Sequence, residues 1–292
     1  MTVQFIFNII ISSSELLLIA VSFSLIYQVT KFFHFAHAIV FTSGAYFTFL
    51  FNQLFHFSLL TSIPLAIISA SLLGSSMELL VYKSLRRKNS NSLILLLASL
   101  GIYIVLQNVI SMTFGDDTKS IRTWPVREGI DMFGARITHI QIVIIFVSIL
   151  LVVMLSVYLS KARVGKTMRA VASDAETSKL SGIDSDKVIL ISFAIGSALA
   201  GIAGILISLD IDMTPTMGMD ALLMGVVVMI IGGVGSIRGI TLGSLLLALA
   251  QNFGVWYISS QWQEAIAFAV LLIFLLFKPE GFMGKKIRRA EV

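Results

Sequence analysis

The chain has 292 residues, of which 57% are hydrophobic and 13% charged, and its mean hydropathy is +0.95. Because a soluble domain carries about 25% charged residues, this composition argues against a soluble protein and indicates a helical protein that crosses a membrane several times. The sequence contains no cysteine, which excludes disulfides, thiolate metal sites and cysteine nucleophiles. We attribute the net charge of +5 to loop topology and expect no binding to nucleic acid.

Nine apolar segments predict an all-α, polytopic membrane helical bundle of eight or nine spans. No basic stretch precedes the first segment, so we expect no cleaved signal peptide. The second segment contains Ser43, Gly44, Asn52 and Gln53, and it is either a full span or a broken, re-entrant helix. A re-entrant helix would leave eight spans, with the N-terminus inside and Lys31 outside. The segments lie at roughly 9–29, 38–57, 59–82, 93–114, 140–160, 188–209, 217–234, 240–257 and 264–277.

The lysine and arginine residues predict the orientation, because cytoplasmic loops are enriched in them. With nine spans, all but four of the 21 basic residues fall on one side, which places the N-terminus outside and the C-terminus in the cytoplasm. The remaining four lie in loop 115–139 and are Lys119, Arg122, Arg127 and Arg136. We expect residues 1–292 to form a single transmembrane domain.

One long polar segment, residues 161–187, connects two spans on the cytoplasmic side. Residues 163–178 have helical propensity, and their apolar positions predict a short amphipathic helix that lies across the membrane face and inserts into a groove on a partner. Gly182 is placed to end this helix, and Asp184 to cap the next span. A solvated loop is the alternative. The predicted apolar stripe consists of Met168, Val171, Ala172, Ala175 and Leu180.

Other patterns that could carry chemistry are weak. Gly165-Lys166-Thr167 resembles the end of a phosphate-binding loop, but that loop needs a glycine where this chain has Ser160. We therefore expect no ATP binding and no cofactor on this chain. His34 and His37 lack a third ligand, so we expect no metal site.

Five motifs resemble one known family in the same order along the chain. Glu176-Thr177-Ser178-x-x-x-Gly182 resembles the EAA-x-x-x-G coupling motif of bacterial ABC importer permeases, with Thr177 and Ser178 in place of two alanines. The other four are FAHAIVFTSGAY at 35–46, MELLVYKSLR at 77–86, IIGGVGSIRGITLGSLLLALAQN at 230–252 and WYISSQWQEAIAFAVLLIFLLFKPEGFMG at 256–284. Together they resemble the branched-chain amino acid permease family, in particular its high-affinity "H" subunit type. His34 and Ala38 stand where the family usually has Asn and Gly.

The resemblance implies a non-catalytic permease subunit, one half of a transport pore in the bacterial inner membrane. Its implied partners are two ATPase subunits, a homologous permease subunit in a heterodimer, and a periplasmic or lipid-anchored substrate-binding protein. Segment 161–187 would couple closure of the ATPases to alternating access. The residues that match the family pattern there are Arg163, Gly165, Arg169, Asp174, Glu176 and Gly182. For Arg169 and Asp174, a salt bridge within the segment is the alternative.

Polar residues and glycines within the spans complete the set of candidate site residues. Because polar side chains inside a membrane usually face the bundle interior, His37, Gln107 and Asn108 are pore-lining candidates. Small residues four apart let helices approach closely in lipid, so helix packing rather than substrate contact is predicted for Gly235, Gly239 and Gly243. Glu78 is expected to form a structural ion pair with the nearby Lys83 or Arg86.

These observations predict the transmembrane subunit of an ATP-driven importer for branched-chain or related hydrophobic amino acids. A permease of the same family for urea, amides or another small solute is the alternative. An autonomous secondary transporter would need an ion-coupling or proton-relay site, which the sparse buried charge disfavours. An intramembrane enzyme would need paired catalytic groups, and no such arrangement is evident.

Overall fold

The computed structural model describes residues 2–122 and 129–284, and over these residues the protein is helical apart from one short hairpin. Two π-helical turns extend helices, Leu50–Leu54 after α2 and Glu78–Tyr82 between α3 and α4. The helices are α1 (Thr2–Thr30), α2 (His37–Phe49), α3 (Leu59–Met77), α4 (Lys83–Arg87), α5 (Ser92–Phe114), α6 (His139–Lys161), α7 (Arg163–Ser173), α8 (Ala175–Leu180), α9 (Ser185–Ile211), α10 (Met217–Gly232), α11 (Ile237–Tyr257) and α12 (Gln263–Phe277). The hairpin pairs β1 (Ile130–Met132) with β2 (Ala135–Ile137), and a 3₁₀ turn, Ser260–Trp262, precedes α12.

The predicted helical membrane architecture is confirmed. Each of the nine apolar segments corresponds to a helix, and the ends of most agree within a few residues. Within the described part of the chain, seven stretches are long and apolar enough to cross a membrane, whereas α10, with 16 residues, is shorter. The number of eight or nine spans and the orientation stay predictions; Arg127 and the basic residues after Gly284 lie outside the described residues.

Helix starts follow local capping chemistry. The side chain of Asn91 accepts a hydrogen bond from the backbone N–H of Ile94 at the start of α5, and Thr138 and Gln141 form a reciprocal capping box at the start of α6. Asp184, predicted to cap the span after the polar segment, accepts from the backbone N–H of Lys187 at 3.2 Å. These caps satisfy amide groups that would otherwise lack partners in the first helical turn.

The core lies between two central helices that come from opposite halves of the chain. Helix α1 packs against α9, α10 and α11, while α9 packs against α1, α2 and α3, and α2 also touches α10. In the most apolar 18-residue stretch of each helix, 78% of the residues are buried in α1 and 67% in α9, but only 6% in the stretch that contains α12. Helices α5, α6 and α12 therefore lie at the perimeter of the bundle, and most of their apolar side chains are not packed within the chain.

The two ends of the bundle differ in charge. The end formed by the α1–α2 connection, α4, α7 and α8 carries Lys31, Lys83–Lys88 and segment 161–187, and we call it the basic end. At the opposite end, Arg122 pairs with Asp212, Nη2 to Oδ1, at 2.7 Å. The Ser120 hydroxyl and the Arg122 guanidinium hold the pKa of Asp212 below its ordinary value.

Candidate functional site

Helix α7 is an amphipathic helix that lies against the basic end of the bundle. Gly165, Met168 and Val171 are buried, and α7 contacts α1, α6 and α9. A Cβ atom on Gly165 would approach the carbonyl oxygen of Tyr158 to 2.5 Å. Glycine at this position therefore allows the chain to fold back tightly against the end of α6.

The predicted single helix over residues 163–178 is wrong, because the chain breaks at Asp174. This residue has an extended backbone, with φ −156° and ψ 112°, and separates α7 from α8. Its Oδ1 accepts hydrogen bonds from the N–H groups of Glu176 at 2.9 Å and Thr177 at 3.1 Å, and its Oδ2 accepts from the Thr177 hydroxyl at 2.6 Å. Asp174 thus starts a new helix as its N-cap, and these bonds, led by that of the Thr177 hydroxyl, lower its pKa.

The break also divides the predicted apolar stripe. Met168 and Val171 face the core, but Ala175 and Leu180, beyond the break, are exposed. Leu180 is 89% exposed, so almost none of its side chain packs against the rest of the chain. An apolar side chain at the tip of α8 is available for a partner.

Gly182 ends α8, as predicted. Its φ of +80° is left-handed, a conformation that favours glycine. Its N–H donates to the Lys179 carbonyl at 3.0 Å, and the Ile183 N–H donates to the Ser178 carbonyl at 3.0 Å. These two bonds form a Schellman motif, which satisfies the last carbonyls of the helix. The second motif residue, Glu176, is exposed in the first turn of α8.

The charged residues of this segment are solvent-facing. Arg163, Arg169 and Glu176 are exposed, and none of them forms an ion pair with another described residue. The alternative, a salt bridge of Arg169 or Asp174 within the segment, is wrong: neither residue forms an ion pair with another described residue, and Asp174 is engaged as a helix cap. Of the six residues that match the family pattern, Gly165, Asp174 and Gly182 therefore occupy structural positions, while Arg163, Arg169 and Glu176 are exposed at the surface.

The three pore-lining candidates do not lie together. His37 is 1% exposed in the core, where its Nε2 lies 3.0 Å from the Ser22 hydroxyl. It borders a void that has no room for a water molecule. Gln107 and Asn108 lie on the perimeter helix α5 instead, and the Asn108 amide nitrogen donates to the Ile104 carbonyl at 2.7 Å.

The three glycines of the α10–α11 region differ in their surroundings. Gly239 and Gly243 lie where α11 meets α10, and a Cβ atom on Gly243 would approach the Val228 carbonyl oxygen to 2.8 Å. Gly235 lies in the turn before α11, with φ +80°. Their role in helix packing stays a prediction.

Sequence reasoning found part of a polar cluster at the basic end. Arg86 pairs with the buried Glu78, as expected for the nearby charges. The sequence did not indicate that Asp186 joins this cluster from α9, or that the Tyr82 hydroxyl contacts His34. A long-range contact of this kind leaves no signal in the spacing of residues along the chain.

Comparison with known proteins gives matches over nearly the whole chain. Residues 5–275 match the family model described as branched-chain amino acid transport system / permease component. The high-affinity branched-chain amino acid transport system permease protein BraD of Pseudomonas aeruginosa is 33% identical over 92% of this chain and 91% of its own length. LivH of Escherichia coli, with the same description, is 32% identical over 97% of this chain and 95% of its own length. No solved structure matches the chain significantly.

Proposed function

The chain belongs to the family of branched-chain amino acid transport system permease components, and from that membership we propose that it is the transmembrane subunit of an ATP-driven importer for branched-chain or related hydrophobic amino acids. Two relatives named for branched-chain amino acid transport are similar to it over more than nine-tenths of both chains. By contrast, a xylose permease protein of Haemophilus influenzae is similar over only 41% of this chain. This difference favours an amino acid as the substrate.

In this function, residues 161–187 are the coupling segment, which receives the motion of the ATPase subunits. The observation that carries the assignment is the exposed tip of α8. Leu180 supplies an exposed apolar side chain. Glu176, four residues before it in α8, supplies a negative charge that forms no ion pair with a described residue. A short helix with an apolar residue and a charge is suited to a groove on a partner protein.

We propose the remaining partners and the topology from the same membership. Two ATPase subunits dock at the basic end and hydrolyse ATP, and a homologous permease pairs with this chain within the inner membrane. A periplasmic or lipid-anchored binding protein delivers substrate to the opposite end. The N-terminus lies outside and the C-terminus in the cytoplasm, because most basic residues are at the basic end.

The perimeter helix α5 is the proposed site of the pore between the two permeases. Asn108 is exposed on α5, about 9 Å in from the end of the helix at 1.5 Å per residue. A side-chain amide at this depth is unfavourable against lipid tails. A water-filled pore or a second permease would solvate it.

Purification of the tagged chain from native membranes tests the function as a whole. We expect the ATPase, a second permease and a binding protein to copurify, as identified by mass spectrometry. ATP-driven uptake of leucine should follow when these components are placed in vesicles. A chain that purifies alone and moves leucine without ATP would be an autonomous transporter.

Substitution of the α8 tip tests the coupling segment. Leu180→Ser and Glu176→Gln should each weaken binding of the ATPase by about tenfold, the effect of losing roughly 1.4 kcal/mol at an interface. Insertion and thermal stability should not change, because neither side chain packs within the chain. The control is Phe133→Ser, which removes a side chain that is 84% exposed at the opposite end. Normal binding by both tip variants would rule out docking through α8.

A further inference from the structure

Helix α3, the π-helical turn Glu78–Tyr82 and α4 form one continuous helical rod, residues 59–87, which we call the α3–α4 rod. Its end at the basic end of the bundle contains a buried ion pair. Glu78 is 1% exposed, and the Arg86 guanidinium contacts both of its carboxylate oxygens, with Nη1 to Oε2 at 2.9 Å. Charges buried in a membrane protein are retained when they are paired and often have a function. Here the bidentate pair fixes the Arg86 guanidinium in a position where its Nη2 atom also faces the start of α9.

The start of α9 supplies the matching charge. Asp186 is the second residue of α9 and lies at the end of the coupling segment, four residues after Gly182. One of its oxygens lies 3.6 Å from Arg86 Nη2, and the other lies 3.7 Å from Lys83 Nζ and 3.9 Å from Arg87 Nη2. Three cations of the α3–α4 rod therefore converge on one carboxylate that moves with the coupling segment.

The π-helical turn of the α3–α4 rod also contacts the connection between α1 and α2. Tyr82, at the end of this turn, is fully buried, and its hydroxyl lies 3.1 Å from His34 Nδ1. His34 lies in the connection between α1 and α2, whose Phe35 N–H donates to Ser99 on α5 at 3.1 Å. π-helical turns within α-helices occur frequently at functional sites. The turn Glu78–Tyr82 thus joins the charged cluster to the α1–α2 connection and α5.

We propose that Arg86 and Asp186 are positioning residues that transmit displacement of the coupling segment to the α3–α4 rod and from there to the α1–α2 connection. The inference rests on the proposed function. The coupling segment is covalently continuous with α9 but not with α3 and α4. Although α3 and α9 also pack along their lengths, the ion pairs to Asp186 are the polar contacts that tie the end of α4 to the end of the segment.

Asp186 is the residue of choice for a test because its loss should spare the fold. Its side chain is 35% exposed, and partly exposed ion pairs contribute little to stability. Asp186→Asn removes the attraction to three cations but leaves the Glu78–Arg86 pair in place. Asp184→Asn is the matched control: it removes a charge two residues away, and asparagine is an equally good helix cap. Asp186→Glu restores the charge.

The experiment compares leucine uptake with ATP hydrolysis in vesicles that contain the copurified complex of this chain, its ATPases and the second permease, with the binding protein added. In Asp186→Asn, we expect the amount of leucine moved per ATP hydrolysed to fall about fivefold or more, the lower range of typical coupling between sites. Asp184→Asn and Asp186→Glu should keep the wild-type ratio. Complex yield and total ATP hydrolysis should be similar in all variants.

Two results would overturn the inference while the proposed function stands. One is an unchanged ratio in Asp186→Asn. The other is a parallel loss of complex yield, hydrolysis and uptake that Asp186→Glu fails to repair, which would make Asp186 purely structural. If the wild-type complex moved no leucine with ATP, the proposed function would fail, and the inference would fail with it.

Discussion

Gly182 and Glu176 belong to the same short motif, yet they occupy different kinds of position. Gly182 has φ +80° and open space around its Cα, so backbone conformation is the constraint there. The Glu176 side chain is exposed and forms no hydrogen bond or ion pair with another described residue, so it is available to a partner. The motif therefore combines one residue that shapes α8 with one that α8 presents.

Substitution of Gly182 should follow backbone preference rather than side-chain size. Because an L-residue in the left-handed region costs about 1–2 kcal/mol and asparagine tolerates it better, Gly182→Asn should retain most ATP-driven leucine uptake. Gly182→Val should lose most of it, because a β-branched residue cannot form the Schellman turn without strain. Thermal unfolding and vesicle uptake measure the two effects. Equal activity of Asn and Val variants would contradict the conformational argument.

Some residue positions could be predicted from the sequence and others could not. Gly182 and Asp184 flank the boundary between two helices, so local rules place them correctly. Asp174 follows the same rule, but the helical propensity on both sides of it conceals the break. Leu180 resembled part of a buried stripe because its spacing fits a helix that the chain does not form.

At the scale of helices, α2 and α9 touch through glycine. A Cβ atom on Gly204 would collide with the backbone carbonyl of Phe41, and Gly44 and Gly201 face each other across the same contact. Close backbone approach of this kind replaces the hydrophobic driving force that lipid removes. The contact depends on three positions without side chains.

A bulky residue at this contact should destabilise the bundle. Gly204→Val forces α2 and α9 apart, and overpacking typically costs about 1–3 kcal/mol. Thermal unfolding of the detergent-solubilised chain should show a lower midpoint. Gly101→Val is the matched control, because a Cβ atom on Gly101, a helical glycine of α5, meets nothing within 4 Å. Equal midpoints for the two variants would mean that the contact between α2 and α9 can relax.

Helix α5 should prove accessible to water if it borders the pore. The chain has no cysteine, so single cysteines can be introduced without further changes. In the assembled complex, Asn108→Cys should react with a water-soluble maleimide. The control is Phe146→Cys on α6. Phe146 is 67% exposed and lies, like Asn108, about two helical turns from the end of the bundle opposite the basic end, so its cysteine should face lipid and remain unreactive. Protection of both positions would remove α5 from the pore.

The helices themselves were predictable because hydropathy and length specify them. Each apolar segment is long enough to form a helix, and most boundary errors are confined to a few residues. The π-helical turns were not predictable, since Glu78–Tyr82 has the composition of an ordinary helix. Nor could the sequence indicate which face of α5 stays unpacked, because that depends on helices distant in the chain.

At the scale of the whole molecule, the charge difference between the two ends predicts the topology. Lys88→Cys lies at the basic end and Phe133→Cys in the hairpin at the opposite end, and both positions are exposed. In intact cells, an impermeant thiol reagent should label residue 133 at once and residue 88 only after permeabilisation. The reverse pattern would invert the proposed orientation. Labelling of both before permeabilisation would place the two loops on one side.

The reciprocal packing of α1 and α9 has a consequence for biosynthesis. Helix α1 is synthesised well before most of its neighbours: α9 begins at Ser185, 155 residues after α1 ends at Thr30. At about 5–20 residues per second, the nascent chain waits roughly 8–30 s for them. Meanwhile Ser13, which later meets the Ser244 hydroxyl at 3.1 Å, has no native partner. A chain whose translation stops before α9 therefore exposes to membrane quality control a long helix that is largely buried in the folded protein.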